Sequence, residues 1–131
     1  MTEQNLVMII DDHELDRYLA IGILKASDFT RDILEFDAGK PALSYLEKHQ
    51  DEEHKLPKLI FLDIYMPIMD GFEFLRQFQS LPDKIKNYCK ICVLSTTVDD
   101  DDFFKAKSFD KNVMFTSKPI TVEFLSGIKK D

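Results

Sequence analysis

Apolar residues along the chain fall into short dense runs separated by amphipathic stretches. Leu6-Val7-Met8-Ile9-Ile10 is five apolar residues ended by Asp11-Asp12. An unbroken apolar run of that length predicts a strand buried on both faces, as in a parallel sheet. Lys58-Leu59-Ile60-Phe61-Leu62-Asp63 repeats the pattern, and Ile91-Cys92-Val93-Leu94 followed by Ser95 is a further run of the same kind. Asp32 to Phe36 and Asn112 to Thr116 are shorter strand candidates. Between these runs the period changes. Leu15, Leu19, Gly22, Ile23 and Ala26 predict one apolar helix face of about three turns. Pro41, in a first turn, opens a helix with Ala42, Leu43 and Leu46 on one face. Phe74, Leu75 and Phe78 place a helix over Phe72 to Gln79. Asp99 to Phe109 is helical in pattern, its acids in the first turn where they suit the helix dipole. Thr121 to Lys130 is the last helix, with Val122, Leu125 and Ile128 directed inward. His49 to Pro57 reads as a loop, and Leu81 to Tyr88, which contains Pro82, as a connector.

Strand and helix therefore alternate five times, which predicts an α/β fold with a parallel sheet and helices on both faces. Ligands of such open sheets sit beyond the carboxyl ends of the strands. Those ends carry Asp11-Asp12, Asp63, Ser95 and Ser117-Lys118-Pro119. Three carboxylates in one small cleft repel each other and call for a cation. An all-oxygen set of few ligands favours Mg²⁺ completed by water. A hydroxyl and a lysine on the far side of Asp63 suit a phosphoryl group, with Ser95 donating to one oxygen and Lys118 pairing with another. A carboxylate can itself be the nucleophile that accepts phosphate. The chemistry thus points to a Mg²⁺-dependent aspartyl-phosphate site centred on Asp63.

Composition agrees. The chain has 131 residues, 44% hydrophobic and 31% charged, which is globular and not disordered. Its net charge of −7 disfavours direct nucleic-acid binding. The longest apolar stretch, Tyr18 to Leu24, is too short to span a bilayer. Met1 to Asn5 lacks a basic leader region, and two cysteines do not make a disulfide scaffold, so no membrane association and a cytoplasmic location are expected. Cys89 and Cys92 lie three apart in a strand, on opposite faces, and cannot easily share a zinc or a disulfide. His13, His49 and His54 show no ligand spacing; His13, next to Asp12, is read as a surface histidine. Asp99 to Asp102 reads as a solvated helix start. Asp70-Gly71 reads as a turn element, and Met66 and Met69 as loop packing. Of Phe103, Phe104 and Phe109, some have a core role.

Asp63-Ile64-Tyr65-Met66-Pro67-Ile68-Met69-Asp70-Gly71 resembles the phosphoacceptor loop of response-regulator receiver domains in two-component signalling. Asp11-Asp12 resembles the family's metal-binding acidic pair. Ser95, Lys118-Pro119 and Phe115 fall at its hydroxyl, lysine-proline and switch positions. Glu35 to Leu43 is similar to its second strand-to-helix passage. The resemblance covers roughly residues 5 to 130. It implies a flavodoxin-like fold with strand order 2-1-3-4-5, a single receiver domain over 1–131 and no output domain. It implies phosphotransfer to Asp63 from a sensor histidine kinase or histidine phosphotransfer protein, and signalling to a downstream protein. In that picture the module catalyses only its own phosphorylation and dephosphorylation. Asp11, Asp12, Asp63 and the backbone carbonyl of Tyr65 would hold Mg²⁺, and Lys118-Pro119 would be a cis peptide. Ser95 and Phe115 would switch together. Pairing through the face of the fourth and fifth predicted helices is a further expectation. Tyr65, Thr96 and Thr97 stand at positions that border the site mouth, where Tyr65 would slow loss of the phosphoryl group and the bulk of Thr96 would hinder small donors. Two rivals remain at this level. One is a phosphate-independent interaction module of the same fold. The other is an aspartyl-nucleophile phosphatase, which would want a second Asp where Tyr65 stands.

Overall fold

A computed structural model describes residues 6–96 and 99–129. The strands are β1 (Val7–Ile10), β2 (Ile33–Phe36), β3 (Leu59–Asp63), β4 (Lys90–Ser95) and β5 (Met114–Ser117). They form one parallel sheet in the order β2-β1-β3-β4-β5, as expected. The helices are α1 (Glu14–Ala26), α2 (Gly39–Lys48), α3 (Gly71–Phe78), α4 (Asp83–Tyr88), α5 (Asp100–Phe109) and α6 (Val122–Lys129), with a single 3-10 turn at Glu53–Lys55.

Strand alternation divides the interior into two cores. Met8, Ile10, Ile60, Leu62, Ile91 and Val93 face one side, against α2, α3, α4 and α5. Val7, Ile9, Leu59, Phe61, Cys92 and Leu94 face the other, against Ala20 and Leu24 of α1 and Leu125 of α6. Every residue of β1 and β3 is buried, which is why these strands read as unbroken apolar runs. Cys89 and Cys92 are free thiols, one in each core.

Four expectations need correction. Helix α1 buries Ala20 and Leu24, while Leu15 and Leu19 are exposed. Tyr18 to Leu24 is apolar all round the helix, so two stripes compete, and the one that enters the core carries Ala20 and Leu24. Leu81 to Tyr88 is not an open connector: α4 begins directly after Pro82 and seats Ile85 in the core. A proline is tolerated at a helix start, where its missing N–H is not needed. Strand β5 starts two residues later than expected, because Asn112 closes a turn by donating its backbone N–H to Asp110. On α6, Leu125 is buried but Val122 is exposed.

Candidate active site

The register of the sheet brings the strand ends together. Asp11 continues β1 by donating its N–H to the carbonyl of Phe36 (3.0 Å), and Lys118 continues β5 by donating to the carbonyl of Ser95 (2.7 Å). Asp63 is the last residue of β3, paired with Leu94. Ser95 ends β4 and is buried. The Lys118–Pro119 peptide is cis, as expected.

Lys118 is the hub. Its Nζ donates to Asp11 Oδ2 at 2.7 Å and to Asp16 Oδ2 at 2.9 Å, and stands 3.5 Å from Asp63 Oδ1. Burial alone would push this ammonium down, but the bonds to Asp11 and Asp16 and the charges of Asp63 and Asp11 outweigh it and hold it above its ordinary value. Asp63 moves the opposite way for a carboxyl. Burial pushes it up to about 6; Lys118 opposes the rise, and Asp11 and Asp12 add to it. Like charges in a dry cleft disfavour ionisation.

Asp11, Asp12, His13 and Asp63 each offer a ligand atom, and these atoms lie within 4.8 Å of one another. Asp12 Oδ1 is buried without a hydrogen-bond partner. A buried carboxylate oxygen that lacks a donor is a place for a cation. In an octahedral shell at about 2.1 Å, opposite ligands stand about 4.2 Å apart, so the cluster is the right size for one divalent ion. The site suits Mg²⁺.

Tyr65 is 55% exposed, and its phenol donates to Asp102 in the first turn of α5. That bond, followed by smaller effects of burial and of nearby carboxylates, pushes the phenol up to about 12. Thr96 is exposed. Thr97 lies outside the described residues. Asp70 caps α3, accepting from the N–H of Glu73 at 2.9 Å, so it shapes the acceptor loop as a helix cap more than as a turn. Met66 is buried and Met69 packs against the same core. Phe115, half-buried on β5, meets Phe103 of α5 edge-on at 5.9 Å between ring centres. Asp99 caps α5 by accepting from the N–H of Asp101.

Sequence reasoning missed three participants. Asp16 lies in the first turn of α1, just after the acidic pair, and that closeness in sequence was the available signal. His13 is exposed, as its reading as a surface histidine expects, but it also places Nδ1 at 3.3 Å from Asp12 Oδ1 and 3.5 Å from Asp11 Oδ1. Its adjacency to a strand-ending Asp pair was the available signal. Asp102 meets Tyr65 only through the fold, and no local pattern announces it.

The model of the response regulator receiver domain family matches residues 7–127. The probable methanogenesis regulatory protein FilR2 of Methanothrix harundinacea is 29% identical over 120 residues, 92% of this chain and 76% of that protein. A segment of the sensor histidine kinase CheAY of Helicobacter pylori is 32% identical over 125 residues, 95% of this chain but 14% of that protein. Among solved structures, a two-component response regulator from Cytophaga hutchinsonii superposes with a TM-score of 0.88 at 26% identity, covering 98% of this chain and 96% of that one. With its sheet order and its acidic cluster, the chain belongs to the response-regulator receiver family. Members act as phosphoaspartate switches, and their only catalysis is the gain and loss of their own phosphoryl group. Among the described residues, no helix is long and apolar enough to cross a membrane.

Proposed function

We propose that this chain is a phosphorylation switch in which Asp63 accepts a phosphoryl group from a phosphohistidine of a sensor kinase or phosphotransfer protein. The observation that carries the reading is the position of Lys118, bonded to Asp11 and Asp16 and 3.5 Å from Asp63 Oδ1, at the carboxyl edge of the sheet. A carboxylate oxygen of Asp63 attacks phosphorus, an O–P bond forms, the P–N bond to the donor imidazole breaks, and the imidazole leaves with the electron pair. Lys118, held protonated by its carboxylates, pairs with one phosphoryl oxygen, and the Ser95 hydroxyl donates to another. Asp11, Asp12, Asp63 and the Tyr65 backbone carbonyl would hold the metal ion. Bound Mg²⁺ neutralises charge on the transferring group.

Ser95 and Phe115 are the switch pair in this reading. Inward movement of the Ser95 hydroxyl makes room for the ring of Phe115, which already touches Phe103 of α5. Phosphorylation then shifts α5 between two packings. Phe104 of α5 and Val122 of α6 are exposed large apolar side chains and support this face as the surface for a downstream protein or a second copy. A sensor kinase that contains a segment like this chain supports a kinase of that class as donor. The chain is one receiver unit over roughly residues 5–130.

Intact mass after incubation with Mg²⁺ and acetyl phosphate tests the reading. A gain of one phosphoryl group by the wild type, absent in Asp63→Asn, is expected. If Asp63→Asn gains the group equally, Asp63 is not the acceptor. If neither gains it from acetyl phosphate nor from a phosphorylated histidine phosphotransfer protein, the phosphate-independent interaction module takes its place.

A further inference from the structure

The mechanism above uses only oxygen donors, yet the site also contains a nitrogen. His13 follows the acidic pair directly, and its own N–H donates to Asp11 Oδ1 at 2.9 Å. Its ring Nδ1 stands 3.3 Å from Asp12 Oδ1 and 3.5 Å from Asp11 Oδ1. Neighbouring donors on one octahedral ion of this size stand about 3.0 Å apart, so these separations are close to those of ligands sharing a metal. Asp12 Oδ1 accepts no hydrogen bond, so it keeps a lone pair for an ion beside the ring nitrogen at 3.3 Å. The ring is 64% exposed, and replacing a water on the outer side of an ion would not require burying it.

Resting on the metal site proposed above, we infer that His13 Nδ1 is a metal donor that makes the site favour a first-row transition ion, Mn²⁺ through Zn²⁺, over Mg²⁺. Imidazole nitrogen binds the later divalent ions of this row well and Mg²⁺ poorly, so one such donor adds to the modest preference that carboxylates alone give. The rival role is a protonated imidazole paired with the acids. The two roles have opposite consequences. An imidazolium competes with every cation, so its removal tightens all ions together; a ligand's removal weakens only the ions that accept nitrogen.

Calorimetric titration of the full chain with Mg²⁺, Co²⁺ and Zn²⁺ separates them. His13→Gln and His13→Ala are expected to lose about tenfold or more in Co²⁺ and Zn²⁺ affinity while Mg²⁺ changes less than about twofold. The ring nitrogen resonances of His13 should shift at one equivalent of Zn²⁺, and Asp12→Asn should weaken every ion. Equal changes for all three ions, no change, or His13 resonances unmoved at saturating Zn²⁺ would overturn the inference while leaving the metal site standing. Failure of the wild type to bind any of the three ions removes the metal site itself, and this inference with it.

Discussion

Asp63 is 4% exposed, and in the metal-free protein burial pushes its carboxyl up to about 6 even with Lys118 at 3.5 Å. The unfolded chain releases the same proton near pH 4. Between those values the folded state binds more protons than the unfolded one, so stability falls as pH rises from about 4 to about 6 and stays reduced above. Asp63→Asn has no charge to bury. In EDTA it should exceed the wild type by roughly 2–3 kcal/mol at pH 8, and by about half as much at pH 5. Urea unfolding at the two pH values measures this; an equal difference at both would mean that charge burial is not the cause. Tyr65 calls for a different measurement. It stands two residues after the acceptor, and its phenol is tied to Asp102. If the ring shields the acyl phosphate from water, Tyr65→Ala should shorten the phosphoryl lifetime roughly tenfold. Tyr65→Phe, which keeps the ring, should shorten it far less. Equal lifetimes in Tyr65→Ala and wild type would remove the shield. The acids, Asp63 and Lys118 could be picked out from sequence because each ends a strand. Asp16 and His13 could not be placed the same way, because they act from the helix and loop that follow, where only the fold fixes direction.

Glycines at two helix positions should respond with opposite signs. Gly71 opens α3 directly under the acceptor strand, where an added Cβ would stand 2.8 Å from the Asp63 carbonyl oxygen and 2.8 Å from Ile64 Cα. Both are backbone atoms that cannot swing aside, and the Gly71 N–H already donates to the Ile64 carbonyl at 2.7 Å. Gly71→Ala should cost about 1–3 kcal/mol and slow phosphorylation by displacing Asp63. Gly22 lies in α1 with nothing within 4 Å of its would-be Cβ, so Gly22→Ala should stabilise by about 0.5–1 kcal/mol and leave phosphorylation unchanged. Thermal melts and acetyl phosphate kinetics on both variants check the pair. The same contrast explains which elements the sequence reveals. Strands buried on both faces announce themselves, since β1, β3 and β4 need an apolar residue at nearly every position. Helix α3 is equally plain, with Phe74, Leu75 and Phe78 on a single stripe. Helix α1 has apolar residues on every side, so its period names a helix but not the face that meets the sheet. Helix α4 is six residues long, too short for a period, and its one anchor, Ile85, carries no pattern by itself.

Across the whole molecule the site works as a clasp. One ammonium, Lys118, joins the loop after β5 to Asp11 beyond β1, to Asp16 of α1 and, at 3.5 Å, to Asp63 of β3. The sheet's carboxyl edge therefore concentrates negative charge that the metal-free fold balances chiefly with the half-buried Lys118 ammonium, in a chain whose net charge is already −7. Lys118→Met keeps the aliphatic length and removes the charge. Asp11 and Asp63 then lose their counter-charge inside the cleft, and leaving buried acids unpaired costs about 3–5 kcal/mol. In EDTA at pH 8 the variant should lose stability of that order. Lys118 holds Asp63 down, so its removal raises that carboxyl further, and the loss should shrink as pH falls from 8 toward 6, where Asp63 takes up its proton. A divalent cation supplies the missing charge, so saturating Mg²⁺ should raise the melting temperature of Lys118→Met by more than it raises that of the wild type. Phosphoryl transfer should remain impaired, because the metal ion restores charge balance but not the donor to the phosphoryl oxygen. A variant whose loss of stability is the same in EDTA and in Mg²⁺ would mean that Lys118 contributes packing, and that the acids find their balance elsewhere.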